Sequence, residues 1–120
     1  MTQPNSSCPS LSKFVAYQLA LESARLVRIA SLRWRECGDL PDQARRASSS
    51  VVLNLAESSG EPRGSLERAR FQRYACRSAR ETLGALDLAA VNGLGDAAEL
   101  AAARAIANRV VGITVRLTRP

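Results

Sequence analysis

The stretch that decides the fold is residues 51–86, VVLNLAESSGEPRGSLERARFQRYACRSARETLGAL. Apolar residues recur at helical spacing up to Leu55, and the Gly- and Pro-containing segment SGEPRGS at 59–65 then ends the helix. Ser65 is a good N-cap for the segment that follows. The stretch therefore predicts two consecutive helices joined by a short loop.

Two further breaks, CGDLPD at 37–42 and NGLGD at 92–96, divide the rest of the chain. A first helix is predicted roughly from Leu11 to Glu36. The second follows Asp39 as a candidate N-cap, and the fourth begins at Asp96 with Glu99 in a variant of the capping box. Because short loops between long helices make neighbours antiparallel, we expect an all-α, antiparallel up-down-up-down four-helix bundle over residues 11–120. Residues 1–10 are expected to be a flexible N-terminal segment.

The composition agrees with one helical domain. The chain has 120 residues, of which 46% are apolar and only 4% aromatic, so alanine, leucine and valine must fill the core. The net charge is +6, and Lys13 is the one lysine among 17 basic residues. A coding bias toward arginine would explain this excess. A surface for phosphate or for an acidic protein would explain it equally well.

Several classes of function are disfavoured. The chain has no histidine, which removes the commonest general base and weakens any metal hypothesis. Cys8, Cys37 and Cys76 form no C-x-x-C pair, so neither a disulfide framework nor a zinc site is expected, and Cys76 is predicted to be a small core residue. No apolar run is long enough for a membrane span, and the N-terminus is polar. We expect a cytoplasmic protein that is not an enzyme and uses no cofactor.

The third helix has an unusually wide apolar arc. On a helical projection, the apolar and small residues between Phe71 and Leu86 cover roughly 200° of the circumference, whereas one core needs a stripe of only about 100°. A weaker second apolar band lies on the first helix. We therefore expect burial on two sides through self-association. The remaining arc carries residues spaced three, four and three apart, which we call the arginine stripe: Arg70, Arg73, Arg77 and Arg80.

The arginine stripe has two interpretations. In a monomer it is a solvent-exposed face that also carries Glu67, Glu81 and Asp87. In a ring of subunits the stripe repeats and becomes a basic surface that holds nucleic acid by phosphate charge, and Arg45 and Arg46 are further candidate contacts. Because aromatic residues are few, the bases would not be read.

A second group of polar residues lies near the helix boundaries. Asn54 and Glu57 are one turn apart at the end of the second helix, and Ser78 and Glu81 are one turn apart on the third. Polar groups at a packed boundary need partners, so we expect a structural hydrogen-bond network that fastens the loop after Gly60. The alternative is a binding or active site at this end of the bundle. Hydrolysis by Glu57 and Glu81 would require a concave pocket that holds both carboxylates.

Three blocks carry a resemblance to a known family: FVAYQLALESARLVRIASL, QARRASSSVVLNLAESSG and FQRYACRSARETLGALDLA. They resemble the bacterial four-helix-bundle proteins encoded in intervening sequences of large-subunit ribosomal RNA genes. Relatives of these are the accessory variability determinants of diversity-generating retroelements. Two departures stand out: Ser58 replaces a glycine usual after the glutamate, and Arg77 replaces a glycine usual before Ser78.

The resemblance implies an antiparallel bundle assembled as a homopentameric ring. For the retroelement branch it also implies a basic barrel that binds a reverse transcriptase and its template RNA. Our prediction is a non-enzymatic, oligomeric accessory of nucleic acid or ribonucleoprotein. The alternative is a scaffold ring that binds an acidic protein partner without nucleic acid.

Overall fold

Four helices account for most of the chain. The computed structural model describes residues 11–35 and 38–119, and within these ranges it contains α1 (Leu11–Ser31), α2 (Leu40–Ser59), α3 (Leu66–Val91) and α4 (Ala97–Leu117), with no strand. The all-α prediction is confirmed, and the arrangement is consistent with a four-helix bundle. The predicted N-terminal segment 1–10, Cys8 and Cys37 lie outside the described residues.

The first helix is shorter than predicted. It ends at Ser31 instead of near Glu36, a residue that lies outside the described part of the chain. The backbone then turns, with the Trp34 N–H donating to the Ser31 carbonyl oxygen at 3.1 Å. This turn buries Trp34, which is in the apolar core and beside Gly95 in the loop between α3 and α4. Tertiary packing of the indole therefore ends the helix where local sequence would continue it.

Two of the three predicted N-caps are formed. The Ser65 side chain accepts a hydrogen bond from the Arg68 N–H at 3.1 Å, and Asp96 Oδ1 accepts one from the Glu99 N–H at 2.9 Å. Asp39 precedes α2 as predicted, but its side chain forms no capping hydrogen bond. These contacts satisfy N–H groups that helix starts leave without partners.

Only the Asp96 half of the predicted capping box on α4 forms. Instead of returning to Asp96, the Glu99 carboxylate accepts a hydrogen bond from Arg33 Nε at 3.0 Å. The contact joins the segment after α1 to the first turn of α4.

Each helix packs against two others. Among the described residues, contacts join α1 with α2, α2 with α3, α3 with α4 and α4 with α1. One apolar cluster forms around Val27, Trp34, Leu86 and Leu100, and a second around Leu55 and its neighbours Val51, Val110 and Ile113. Alanine fills most of the remaining core positions, which agrees with the composition.

The wide apolar arc of α3 is explained within one chain. Leu86 has no exposed surface, Cys76 is buried as predicted, and Leu83 is half-buried. Because α3 packs against both α2 and α4, two intrachain neighbours cover most of the arc. Because a bundle helix faces two neighbours instead of one core, the arc gives no separate support for a second copy, and self-association stays a prediction.

Candidate functional site

The arginine stripe lies on the outer face of α3. All four of its arginines are exposed, whereas Ala75, Ala79 and Leu86 on the opposite side are buried. The outward orientation predicted from the spacing is confirmed. The stripe therefore presents its guanidinium groups along one line of the helix surface.

The members of the stripe differ in their partners. Arg70 forms an ion pair with Glu67 one turn earlier on α3. Within the described residues Arg73, Arg77 and Arg80 form no ion pair, so neither Glu81 nor Asp87 neutralises them; Asp87 instead pairs with Arg104 at 2.8 Å. Three charges of the stripe are thus available to an external anion.

A shallow groove lies beside these three arginines. It has a volume of about 380 Å³ and is lined by Arg73, Arg77 and Arg80 together with Cys76 and Thr118. The Thr118 hydroxyl donates to the Val115 carbonyl oxygen at 2.8 Å. Three guanidinium groups with no acidic residue in the lining make this groove electropositive, and forked guanidinium donors suit phosphate oxygens.

An aromatic ring adjoins the stripe. The Arg77 guanidinium carbon lies 5.9 Å from the centroid of the Tyr74 ring, within cation–π range. Phe71 meets the same ring edge-on, with centroids 6.4 Å apart and an interplanar angle of 82°. Tyr74 nevertheless remains 39% exposed, so part of its side chain is accessible next to the stripe.

Arg45 and Arg46, the two further candidates for nucleic-acid contact, are on α2 and not on the helix that carries the stripe. Arg45 Nη1 donates to Ser31 Oγ at 3.2 Å, and this hydrogen bond joins the end of α1 to α2. Arg45 Nη2 lies 3.3 Å from Asp42 Oδ1 on the same helix. Arg46 is exposed but lines a different groove, between α2 and α3. Neither residue lines the groove beside the stripe.

The groove between α2 and α3 is larger and of mixed polarity. Its volume is about 570 Å³. Its lining consists of Leu40, Gln43, Arg46, Ala47, Ser50, Ser78, Glu81, Gly84, Ala85 and Leu88. Arg46 on α2 and Glu81 on α3 bring opposite charges into this groove, but neither forms an ion pair with a described residue.

Ser50 joins two residues of the predicted network. Ser78 Oγ donates to Ser50 Oγ at 2.9 Å, and Asn54 Nδ2 donates to the Ser50 carbonyl oxygen at 2.9 Å and to its Oγ at 3.0 Å. Sequence reasoning missed Ser50, although it lies one turn before Asn54 and so shares its helix face. The bond between Ser50 and Ser78 links α2 to α3.

The two glutamates do not join this network. Glu57 and Glu81 are exposed, and the carboxylate of neither forms a hydrogen bond or ion pair with a described residue. Glu81 lines the α2–α3 groove, whereas Glu57 is absent from its lining, so the structure does not bring the carboxylates into this groove together. The loop after Gly60 is held instead by Arg68 Nη1, which donates to the Glu61 carbonyl oxygen at 3.0 Å.

The two departures noted in the sequence fit the packing. Ser58 is fully buried and donates through Oγ to the Leu55 carbonyl oxygen at 2.8 Å, so a small side chain is accommodated there. Arg77 extends outward over Tyr74 and leaves the interior unchanged. Both positions are compatible with the observed helices.

The described residues include neither a candidate metal site nor a membrane-spanning helix. They contain no group of three or more histidine, cysteine or acidic residues placed to hold a metal ion. None of the helices within them has the length and apolar character needed to cross a membrane.

The fold and the outer arginines define the class as a basic, all-helical protein. The family described as 23S rRNA-intervening sequence protein matches residues 12–115, and the chain belongs to this family. The resemblance to intervening-sequence proteins is thereby confirmed. A search of curated proteins found no match.

Proposed function

We propose that the chain is a non-enzymatic, nucleic-acid-binding accessory protein that works as an oligomer. The observation that carries this proposal is the arginine stripe on the outer face of α3. Three of its exposed guanidinium groups have no acidic partner within the described residues and share one electropositive groove. Such an arrangement suits the repeated phosphates of a nucleic-acid backbone better than a single small anion.

The charges of the stripe predict how strongly the binding affinity should depend on salt concentration. The chain carries a net charge of +6, which favours association with polyanions. If Arg73, Arg77 and Arg80 each neutralise one phosphate of a single strand, log K should fall against log salt concentration with a slope of about −2. A rise from about 50 to 200 mM salt should then weaken binding roughly 20-fold.

We also propose the antiparallel up-down-up-down topology. Short connections between long helices support it. Two ion pairs to residues of α4 also support this topology. Arg33, just after α1, pairs with Glu99 in the first turn of α4. Asp87, near the end of α3, pairs with Arg104 in the first half of α4.

The proposed assembly is a homopentameric ring. Its support is the resemblance together with outward apolar side chains: Leu88 and Val91 near the end of α3 are 53% and 84% exposed, and Leu53 on α2 is exposed as well. A ring would cover some of this surface and repeat the arginine stripe around its circumference. For the retroelement branch, the proposed partners are a reverse transcriptase and its template RNA.

The competing proposal is a scaffold ring that binds an acidic protein. Affinity for fluorescently labelled RNA and DNA oligonucleotides, measured by anisotropy at about 50 and 200 mM salt, separates the two. Binding at the lower concentration with a steep loss at the higher one supports nucleic-acid recognition. No measurable affinity at the lower concentration would refute it. Light scattering of the same samples gives the oligomer mass.

A further inference from the structure

We infer that the arginine stripe binds a single strand of nucleic acid and that the Tyr74 ring stacks on one of its unpaired bases. The inference rests on the proposed nucleic-acid function and specifies its ligand. Its basis is the position of Tyr74, a partly exposed aromatic residue whose ring contacts Arg77, one of the three arginines that have no acidic partner among the described residues.

The Tyr74 ring is held in place before any ligand arrives. Phe71 packs edge-on against it, and Arg77 lies over it at 5.9 Å. The phenol hydroxyl forms no hydrogen bond with a described residue, so ring contacts alone fix its position. These two contacts restrict the ring and so lower the ordering entropy that stacking on it costs.

The spacing of the stripe suits a strand that runs along α3. Arg73, Arg77 and Arg80 are four and three residues apart, which is about 6 Å and about 4.5 Å of helix rise. The guanidinium groups can therefore contact several phosphates of a strand that runs parallel to the helix axis. Tyr74 is on the flank of this line, one turn before Arg77, where a base projecting from the backbone can reach the ring.

A duplex cannot make the same contact. Its bases stack on one another, so it can present phosphates to the arginines but no free base face to Tyr74. Stacking on an aromatic ring tolerates every base, which agrees with the absence of sequence reading expected from the few aromatics. The ring should therefore favour single strands over duplexes without favouring any base sequence.

The test uses the full chain with labelled unstructured RNA of about 15 nucleotides, DNA of matching sequence, and an RNA duplex of similar length. Tyr74→Leu removes the ring, while Tyr74→Phe keeps it and removes only the hydroxyl. Circular dichroism melting checks that each variant folds. Anisotropy then gives the affinity of each variant for each nucleic acid.

Tyr74→Leu should weaken single-strand binding about 5-fold or more, on RNA and DNA alike, because base–aromatic stacking is lost. Duplex binding by Tyr74→Leu, and all binding by Tyr74→Phe, should equal the wild type. An equal loss on single strand and duplex, or no loss on either, would overturn the inference.

The failure of this inference is distinguishable from that of the proposed function. One case is that the wild type binds both single strand and duplex, and that changing Arg73, Arg77 and Arg80 to glutamine weakens both affinities. If Tyr74→Leu then changes neither affinity, only the stacking inference fails. If the wild type binds neither, the proposed function fails and the inference fails with it.

Discussion

Replacing Leu86 with alanine tests how α3 is packed. Leu86 has no exposed surface and lies in a cluster that includes Ala44, Ala89, Ala103 and Ala107. Buried Leu→Ala changes cost about 2–5 kcal/mol, and the cost is larger where neighbours cannot move into the cavity. Because alanine side chains on helices have no freedom to fill the space, we expect Leu86→Ala to cost about 3–5 kcal/mol.

Leu88→Ala on the same helix is the matched control. Leu88 is 53% exposed, so its truncation should cost under about 1 kcal/mol if the chain is alone. In a thermal scan each kcal/mol lowers the midpoint by about 4 °C for a domain of this size. The Leu86→Ala midpoint should therefore fall by about 12 °C or more, and the Leu88→Ala midpoint by only a few degrees.

Urea or thermal unfolding followed by circular dichroism at several protein concentrations is the assay. A Leu86→Ala variant within about 1 kcal/mol of the wild type would refute the packing described for α3. A Leu88→Ala loss that depends on protein concentration would instead indicate that a second copy covers Leu88.

Three further predictions concern caps, turns and charge. Ser65→Ala should lower the unfolding free energy by about 1 kcal/mol in urea denaturation, because it removes the side-chain cap of α3; an unchanged midpoint would contradict this role. Gly95→Ala should cost at least about 1–2 kcal/mol by the same measurement, because φ is +66° and the new Cβ would lie 2.9 Å from Trp34 Cδ1. The hydrogen bond from Arg25 lowers the pKa of Glu22, so its small stabilisation is present above the unfolded pKa and lost as pH falls; carboxyl NMR titration should show the pKa returning toward the ordinary value in Arg25→Gln.

Local sequence signals predicted the helices but not all of their ends. The break at 92–96 lies in an observed loop, and the break at 59–65 overlaps a helix only at Ser59, because backbone conformation there depends on nearby residues. The break at 37–42 overlaps the first turn of α2, which begins at Leu40. The end of α1 could not be predicted in the same way. Ser31 is followed by residues compatible with a helix, and only the burial of Trp34 beside Gly95 makes the chain turn.

The arginine stripe was predictable, whereas the polar network was not. Residues spaced three and four apart share a helix face, and arginine is rarely buried, so the outward position of Arg73, Arg77 and Arg80 followed from spacing. The contact between Ser50 and Ser78 depends on how α2 and α3 are rotated against each other, which is set by core packing. For the same reason the sequence could not show that Glu57 would lie outside this groove.

The measurement that tests the central claim most directly is the salt dependence of single-strand affinity in an arginine variant. The triple change of Arg73, Arg77 and Arg80 to glutamine is compared with Arg109→Gln, an exposed arginine on α4 outside the stripe. The wild type and Arg109→Gln should share a slope of about −2, and the triple variant should lose most of both the affinity and the slope. An unchanged slope in the triple variant would contradict the claim that the arginine stripe holds the phosphates.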